Sequence, residues 1–433
     1  MSFGDSLYMF QLKHYQTTVR TEVIAGITTF LTMAYIVIVN PSILATTGMD
    51  KGAVFVATCL AAGIATLAMG LWANFPVAVA PGMGMNAYFA FVLVGAQGYS
   101  WESMLAAVLI SGILFYILTL LRFRHWLVEA IPEPLVFAIT CGIGLFIGVL
   151  GLKSSGIIVS SPATLVTLGS LHSPEVLLSL LGFLMIVVLD YYRVKGGILI
   201  SIIAVSMIGA LFGISSFHGL VSMPPSLAPT WLHLDINSVL HVSMISAIVT
   251  FFILVLFDNT GTMLGLLEQA NLHDEVKGKR LTRAFYIESI GTALGALLGT
   301  TSLSAYVESA AGIGAGGRTG LTSVVVGVLF FAVLFFAPLA TAIPTYATAP
   351  VLVYVAILIF RCIVKIDWQE IRVAVPCFIT VVMIPLSFSI SDGIGLGILS
   401  YLIIYTLTGK AKEIPWGLWP IGVLFIGLFF LAH

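Results

Sequence analysis

Three polar side chains lie inside stretches of the chain that are otherwise apolar, and their types suit hydrogen bonding and proton exchange. Asp258 lies in "LFDNTGTMLG", Glu308 in "TSLSAYVESAAGIGAGGRTG" and Asn86 in "PVAVAPGMGMNAYFAF". A carboxylate in a bilayer loses hydration, whereas a helix N-terminus stabilises its anionic form. Because these effects oppose each other, an acid subject to both can gain and lose a proton near neutral pH, as a proton-coupling residue must.

Together these residues predict a site with many hydrogen-bond acceptors and few donors. Thr262 lies one helical turn after Asp258, so it shares that acid's helix face. The Asn86 amide and free backbone N–H groups at helix ends would supply the donors. Such a site suits a neutral, flat ligand that carries N–H groups. It suits an anion poorly, because two acids would repel it unless both were protonated.

The composition places this site in a membrane. The chain has 433 residues, of which 59% are hydrophobic and 9% charged, against about 25% charged in soluble domains. Its mean hydropathy is +1.11. The net charge of -1 gives no basic surface for nucleic acid, so we expect no nucleic-acid partner. The polar N-terminal stretch is too long for a signal peptide, so we expect membrane insertion and not export.

Windows of about 20 apolar residues follow one another along nearly the whole chain, and they predict an all-α membrane protein with about 14 spans. With the N-terminus in the cytoplasm, every Lys and Arg except Lys51 and Lys153 falls on the cytoplasmic side, as the positive-inside rule requires. Both termini are therefore expected in the cytoplasm. The final apolar stretch, 416–431, does not fit an even number of spans with both termini in the cytoplasm. Either it is an interfacial helix, or the thirteenth and fourteenth segments form one broken unit.

The spans divide into two sets of seven, which predicts inverted repeats because an odd number of spans reverses the orientation. The third span of each set is abnormal, being rich in small residues and interrupted by Gly or Pro. Asn86 and Glu308 lie in these two segments, 222 positions apart. Each segment is expected to be a short extended stretch that leads into a half-helix. Paired interrupted spans of this kind indicate a transport site near the bilayer midplane.

Other polar residues carry less weight. Glu288 could join a proton path, but a structural hydrogen bond is favoured. Asp190 and the histidines of the segment ends are expected to be solvated. The histidines and the four cysteines show no metal-ligand spacing, so neither a metal nor a cofactor is expected. No nucleophile–base set is evident either, which argues against an enzyme. Arg318 is expected to end its helix, where a cation suits the C-terminal dipole.

Five longer stretches resemble one transporter family. "RTEVIAGITTFLTMAYIVIVNPSIL", "ANFPVAVAPGMGMNAYFAF", "LFDNTGTMLG", "YVESAAGIGAGGRTGLTSVVVGVLFF" and "PLATAIPTYATAPVLVYVA" are similar to the hypoxanthine/adenine/guanine permease branch of the nucleobase-ascorbate (nucleobase-cation symporter) family. The resemblance implies core and gate domains, broken third and tenth spans, and proton-driven uptake of purines by alternating access. It implies no cofactor, a location in the cytoplasmic (inner) membrane, and a possible homodimer.

The resemblance also assigns residues and boundaries. Substrate binding is expected at Asp258, Glu308, Asn86, Thr262, Gly84 and Phe30, with Tyr35 beside Phe30 as a second stacking candidate and with Glu308 and Asp258 coupling protons. The implied domains are a cytoplasmic N-terminus (1–22), core halves (23–121 and 242–340), an extracytoplasmic loop (216–241) and gate halves (122–215 and 341–433, the latter with the C-terminal segment).

The substrate preference is less closely defined. Asn86 within "GMGMNAYF" favours guanine and hypoxanthine, whereas "YATAPVLVYV" and "EQANLHDE" are as close to adenine permeases. Guanine and hypoxanthine are therefore expected first, and an adenine-selective permease is the alternative. An anion carrier with the same repeats would be expected to have a neutral or basic centre. An inorganic-cation carrier would need more oxygen ligands than this site offers.

Overall fold

The protein is built almost entirely of helices. The computed structural model describes residues 10–121, 131–161, 165–214, 219, 221–239, 279–387 and 389–432, and scattered positions between 240 and 278. Its helices are α1 (Val19–Met33), α2 (Ile36–Leu44), α3 (Lys51–Ala68), α4 (Met83–Ala87), α5 (Trp101–Leu120), α6 (Glu133–Ser154), α7 (Pro174–Tyr191), α8 (Gly197–Leu211), α9 (Ile236–Val239), α10 (Lys279–Leu298), α11 (Ser309–Gly314), α12 (Gly320–Val333), α13 (Ala337–Ala342), α14 (Thr345–Phe360), α15 (Ile371–Ser387), α16 (Ile390–Leu407) and α17 (Leu418–Ala432). Its strands are β1 (Val79–Pro81), β2 (Ile158–Ser161), β3 (Leu165–Leu168) and β4 (Leu303–Ala305).

Many of these helices can cross a bilayer. Seven helical stretches of the described residues are long and apolar enough to do so, from Val19–Thr47 to Thr345–Lys365. Shorter apolar helices, such as Gly197–Leu211 and Ile371–Ser387, add to them. The chain is therefore a multi-pass membrane protein. The predicted eighth span, which contains Asp258, lies largely outside the described residues.

The third and tenth spans are broken, and their extended parts pair with each other. Strand β1 runs antiparallel to β4, with Ala80 opposite Ser304. The pairing continues at both ends, since Tyr306 N donates to Ala78 O and Gly82 N donates to Ser302 O. An extended backbone at membrane depth needs such partners, because lipid offers none. A half-helix follows each strand: α4 follows β1, and α11 follows β4.

A threonine on a neighbouring helix satisfies the backbone hydrogen-bonding groups of the first residue of each strand. Thr66 on α3 accepts from Val79 N at 2.9 Å and donates to Val79 O at 2.9 Å. Thr292 on α10 makes the same pair of bonds with Leu303, at 3.2 and 3.3 Å. The two halves of the fold thus make the same threonine-to-backbone contact, as expected of internal repeats of one structural unit.

The first span is broken as well. Helix α1 ends at Met33, and α2 begins at Ile36 after a tight turn in which Ile38 N donates to Tyr35 O. Pro41 lies within α2 and lacks the N–H that would bond to Val37 O. This break leaves Tyr35 fully buried between the helices, 1% exposed, in a position to meet the tenth span.

The helices pack as two groups. Helices α1, α3 and α5 pack with α10 and α12, whereas α6, α7 and α8 pack with α14 and α15. The first group contains both broken strand–helix units and matches the expected core. The second matches the expected gate.

The C-terminal region contains separate helices. Helices α15 and α16 form a tight hairpin, since a Cβ on Gly393 would lie 2.3 Å from Ile384 and one on Gly397 would lie 1.8 Å from Thr380. The thirteenth and fourteenth segments are therefore two packed helices. The remaining apolar stretch is α17, which packs on α16 through Phe425 near Gly395.

Candidate functional site

A cavity of about 440 Å³ lies between the two groups of helices. One wall comes from the broken spans, with Gly82, Met83 and Gly84 at the start of α4 and residues 304–308 leading into α11. Thr32, Tyr35 and Thr262 complete this wall. The other wall comes from the end of α7, the start of α8 and the second half of α14. The cavity therefore touches both the core and the gate.

Glu308 is the acid of the core wall. It immediately precedes α11, and its side chain makes no capping bond to that helix. Its carboxylate instead accepts a hydrogen bond of 2.5 Å from the Tyr35 hydroxyl, while Thr32 Oγ1 donates to its carbonyl at 3.4 Å. The break in the first span thus orients the acid of the tenth span toward the cavity.

Backbone at the start of α4 forms the neighbouring part of the core wall. Gly82 is the residue before α4, and it and Gly84 both line the cavity. A Cβ on Gly84 would lie 3.1 Å from Ile143 Cγ2 of α6. Glycine at this position therefore lets the half-helix approach the gate closely.

The gate wall is also polar. Asp190 lies in the last turn of α7, and Arg361 directly follows α14; both are exposed and line the cavity. Tyr354 of α14 is 7% exposed and interacts through its hydroxyl with Asp190. Asp190 is exposed at a segment end, as the sequence predicts, and this end of α7 also faces the cavity. Nothing in the sequence around Asp190 signals this.

The predicted site residues divide into those that line the cavity and those that do not. Glu308, Thr262 and Gly84 line it. Asn86 does not: it is fully buried in α4, where its amide oxygen accepts from the Thr301 hydroxyl. Phe30 packs edge to face on Phe330, with ring centroids 5.4 Å apart. Asp258 lies outside the described residues.

Two further acids bind backbone groups next to the site and do not line the cavity. Glu288 on α10 accepts from Ala305 N at 3.3 Å, so it holds the last residue of β4. Glu22 on α1 is fully buried and was not singled out in the sequence; its carboxylate accepts from Arg318 N at 3.0 Å, Thr319 N at 3.3 Å and Thr322 Oγ1 at 2.6 Å. Glu22 thereby fixes the turn between α11 and α12.

Arg318 closes the other end of the half-helix. Its guanidinium donates to Ile313 O and Gly317 O, each at 2.7 Å. The expectation that this cation ends its helix at the C-terminal carbonyls is confirmed. Glu22 and Arg318 therefore hold α11 at the end opposite Glu308.

The structure brings two of the four cysteines into contact, which their separate positions in the sequence do not predict. All four are free thiols, but Cys141 of α6 and Cys362 after α14 lie with their sulfur atoms 2.7 Å apart. Both belong to the gate group. Among the described residues, no cluster of three or more His, Cys, Asp or Glu side chains could hold a metal.

A match to the profile of the Permease family runs over residues 20–396. This chain belongs to that family. It is 46% identical to an adenine permease of Escherichia coli, over 96% of this chain and 94% of that protein. It is 42% identical to a guanine/hypoxanthine permease of Bacillus subtilis, over 98% of this chain and 99% of that protein. These matches confirm the resemblance to the purine permease branch and identify the permease as a transporter and not an enzyme.

The fold of the permease also has a solved counterpart. The transmembrane domain of the cyanobacterial bicarbonate transporter BicA matches with a TM-score of 0.60 at 20% identity, covering 89% of this chain and 96% of that one. At this identity the likeness concerns the fold alone. It confirms the predicted architecture of inverted seven-span repeats with core and gate domains.

Proposed function

We propose that this permease takes up purine nucleobases together with protons, by alternating access across the cytoplasmic membrane. The observation that carries the proposal is the Glu308 carboxylate, held by Tyr35 at the tip of a half-helix and facing a cavity shared by core and gate. A cavity of about 440 Å³ lies within the usual range for small-molecule sites. The purine permeases among its relatives support the substrate class.

Hydrogen-bond chemistry favours guanine over adenine. Guanine presents two neighbouring N–H donors on one edge, and an ionised carboxylate offers two acceptor oxygens to match them. Adenine presents one donor beside one acceptor, so it fits a protonated acid, which offers one of each. Glu308 as a carboxylate therefore pairs better with guanine than with adenine; hypoxanthine, which has a single N–H on its six-membered ring, is grouped with guanine on the sequence resemblance alone. Adenine is the second candidate, because an adenine permease is 46% identical to this chain.

Proton coupling is assigned to Glu308 with Asp258. A proton bound to one of these two acids would leave the other free to accept the N–H groups of the base, so base and proton can be carried in the same step. The cavity reaches the turn between α7 and α8, which carries Arg193 and Lys195 and is expected to be cytoplasmic. We assign this arrangement to the inward-facing state, from which base and proton are released.

The experiment is uptake of labelled guanine, hypoxanthine, adenine, xanthine and uracil by cells that lack their own purine permeases, at two external pH values. Wild-type protein should take up purines faster at acidic external pH, and a protonophore should abolish accumulation. Glu308→Ala and Asp258→Ala should each abolish uptake while the protein still reaches the membrane. Full uptake by either variant would refute the assignment of the binding site. Uptake that responds neither to external pH nor to the protonophore would show that protons do not drive transport.

A further inference from the structure

The gate wall of the cavity carries an acid and a base that the proposed site does not use. Asp190 comes from the end of α7, and Arg361 comes from the residue after α14. Both side chains are exposed and line the same cavity as Glu308. An acceptor and a donor thus face the route between Glu308 and the end of the molecule that is expected to be cytoplasmic.

Asp190 has an unfavourable position for a merely structural acid. It lies in the last turn of α7, where the helix dipole disfavours negative charge. Among the described residues, no cation lies within 4.0 Å of its carboxylate. Neither the helix dipole nor an ion pair therefore stabilises an acid here.

Tyr354 connects this wall to the central site. Its ring is 7% exposed, and its hydroxyl interacts with Asp190, so the carboxylate holds a buried tyrosine at the cavity surface. Tyr354 lines the same cavity as Arg361, Glu308 and Tyr35. Polar groups therefore follow one another across the cavity, from Glu308 through the two tyrosines to Asp190.

We infer that Asp190 and Arg361, arranged around Tyr354, form a second hydrogen-bonding site for the nucleobase as it leaves the cavity. Asp190 accepts an N–H of the heterocycle, and Arg361 donates to a carbonyl or ring nitrogen. A base that leaves Glu308 then need not pass the apolar residues of this wall with unpaired polar groups, which is energetically unfavourable. Asp190 is thus a determinant of release to the cytoplasm.

This inference rests on the proposed purine transport, and its test compares binding with turnover. Purified wild-type protein and the variants Asp190→Asn, Arg361→Gln and Tyr354→Phe are assayed for equilibrium binding of labelled guanine and adenine. The same proteins are then assayed in proteoliposomes for the maximal rate and KM of uptake. Glu175→Gln is the matched control, since Glu175 is an exposed acid in the first turn of the same helix and does not line the cavity.

Asp190→Asn and Arg361→Gln should lower the maximal uptake rate at least 5-fold while the KM and the binding constant stay within 2-fold of wild type. Glu175→Gln should leave all three values unchanged. A merely structural role would instead reduce the amount of folded protein on size exclusion and lower binding and rate together, and that result overturns the inference. Uptake by Asp190→Asn within 2-fold of an active wild type overturns it too. If wild type neither binds nor transports purines, the proposed function fails as well.

Discussion

The Tyr35 hydroxyl donates a 2.5 Å hydrogen bond to Glu308 Oε1 across 273 positions of sequence. This bond joins the break in the first span to the tip of the tenth-span half-helix. Both residues line the cavity, so a ligand that reaches Glu308 also meets Tyr35. The acid is thereby oriented by a neutral donor that uses one lone pair of Oε1, which leaves Oε2 and the other lone pair of Oε1 for a substrate or a proton.

Replacement of Tyr35 by phenylalanine tests this orientation. Tyr35→Phe keeps the ring but removes a hydrogen bond to a charged group, a bond worth about 1.5–3 kcal/mol. We expect purine uptake to fall at least ~10-fold, measured as initial rate per amount of protein in the membrane. Tyr192→Phe is the control, because Tyr192 is 72% exposed. Equal rates for both variants would show that the bond has no part in transport.

Replacement of Glu308 by glutamine tests the choice between guanine and adenine. An amide offers one acceptor and one donor, the pattern that pairs with adenine in nucleic-acid recognition. We expect Glu308→Gln to lose guanine binding and to retain adenine binding within a few-fold. Equilibrium binding to purified protein is the measurement, since loss of the acid would also stop proton-driven uptake. Parallel loss of both purines would argue against direct recognition by this side chain.

Added bulk at Gly84 tests the contact between the half-helix α4 and the gate. The Cβ of any residue there would lie 3.1 Å from Ile143 Cγ2, and the rest of a valine would enter the cavity or the interface. Gly84→Val should reduce uptake at least 10-fold, with Gly84→Ala intermediate. Gly427→Val provides the comparison, since a Cβ at that position would meet nothing within 4 Å. If Gly84→Val is as active as the Gly427 variant, close approach is not required.

Glu22 is predicted to support the site from a distance. Glu22→Ala leaves Arg318 N and Thr319 N without their acceptor, at about 1–3 kcal/mol for each unsatisfied group, and leaves the Thr322 hydroxyl only the Glu22 carbonyl. We expect the melting temperature of the detergent-solubilised protein to drop by roughly 2 °C or more, and uptake to fall with it. Glu22→Gln retains one acceptor oxygen and should recover part of both. An unchanged melting temperature for Glu22→Ala would contradict this role.

The sequence predicts those parts of the site that depend on local chemistry. Small residues interrupted by Gly or Pro around Asn86 and Glu308 predict the broken spans, because such residues disrupt a helix locally. An acid such as Glu308 inside an apolar segment indicates function, because lipid makes it costly. Arg318 at the end of its helix follows from the helix dipole in the same way.

Other parts of the site depend on contacts between distant segments and could not be predicted. Phe30 and Tyr35 are both only candidates for stacking on a purine in the sequence; the structure packs Phe30 on Phe330 and bonds Tyr35 to Glu308. Nothing in the local sequence distinguishes these two aromatic residues. Asp190 is similar: a segment end looks solvated in sequence, and only the packing of α7 beside α14 shows that it faces a cavity.

The pairing of β1 with β4 also constrains how the protein is made. Residues 79–81 emerge from the ribosome more than 200 positions before the strand that completes their backbone hydrogen bonds. Until then the first repeat holds an unmatched extended segment that lipid cannot accommodate. Neither repeat is therefore an independent folding unit, and maturation of the transport site must wait for synthesis of the second repeat at least as far as Ala305.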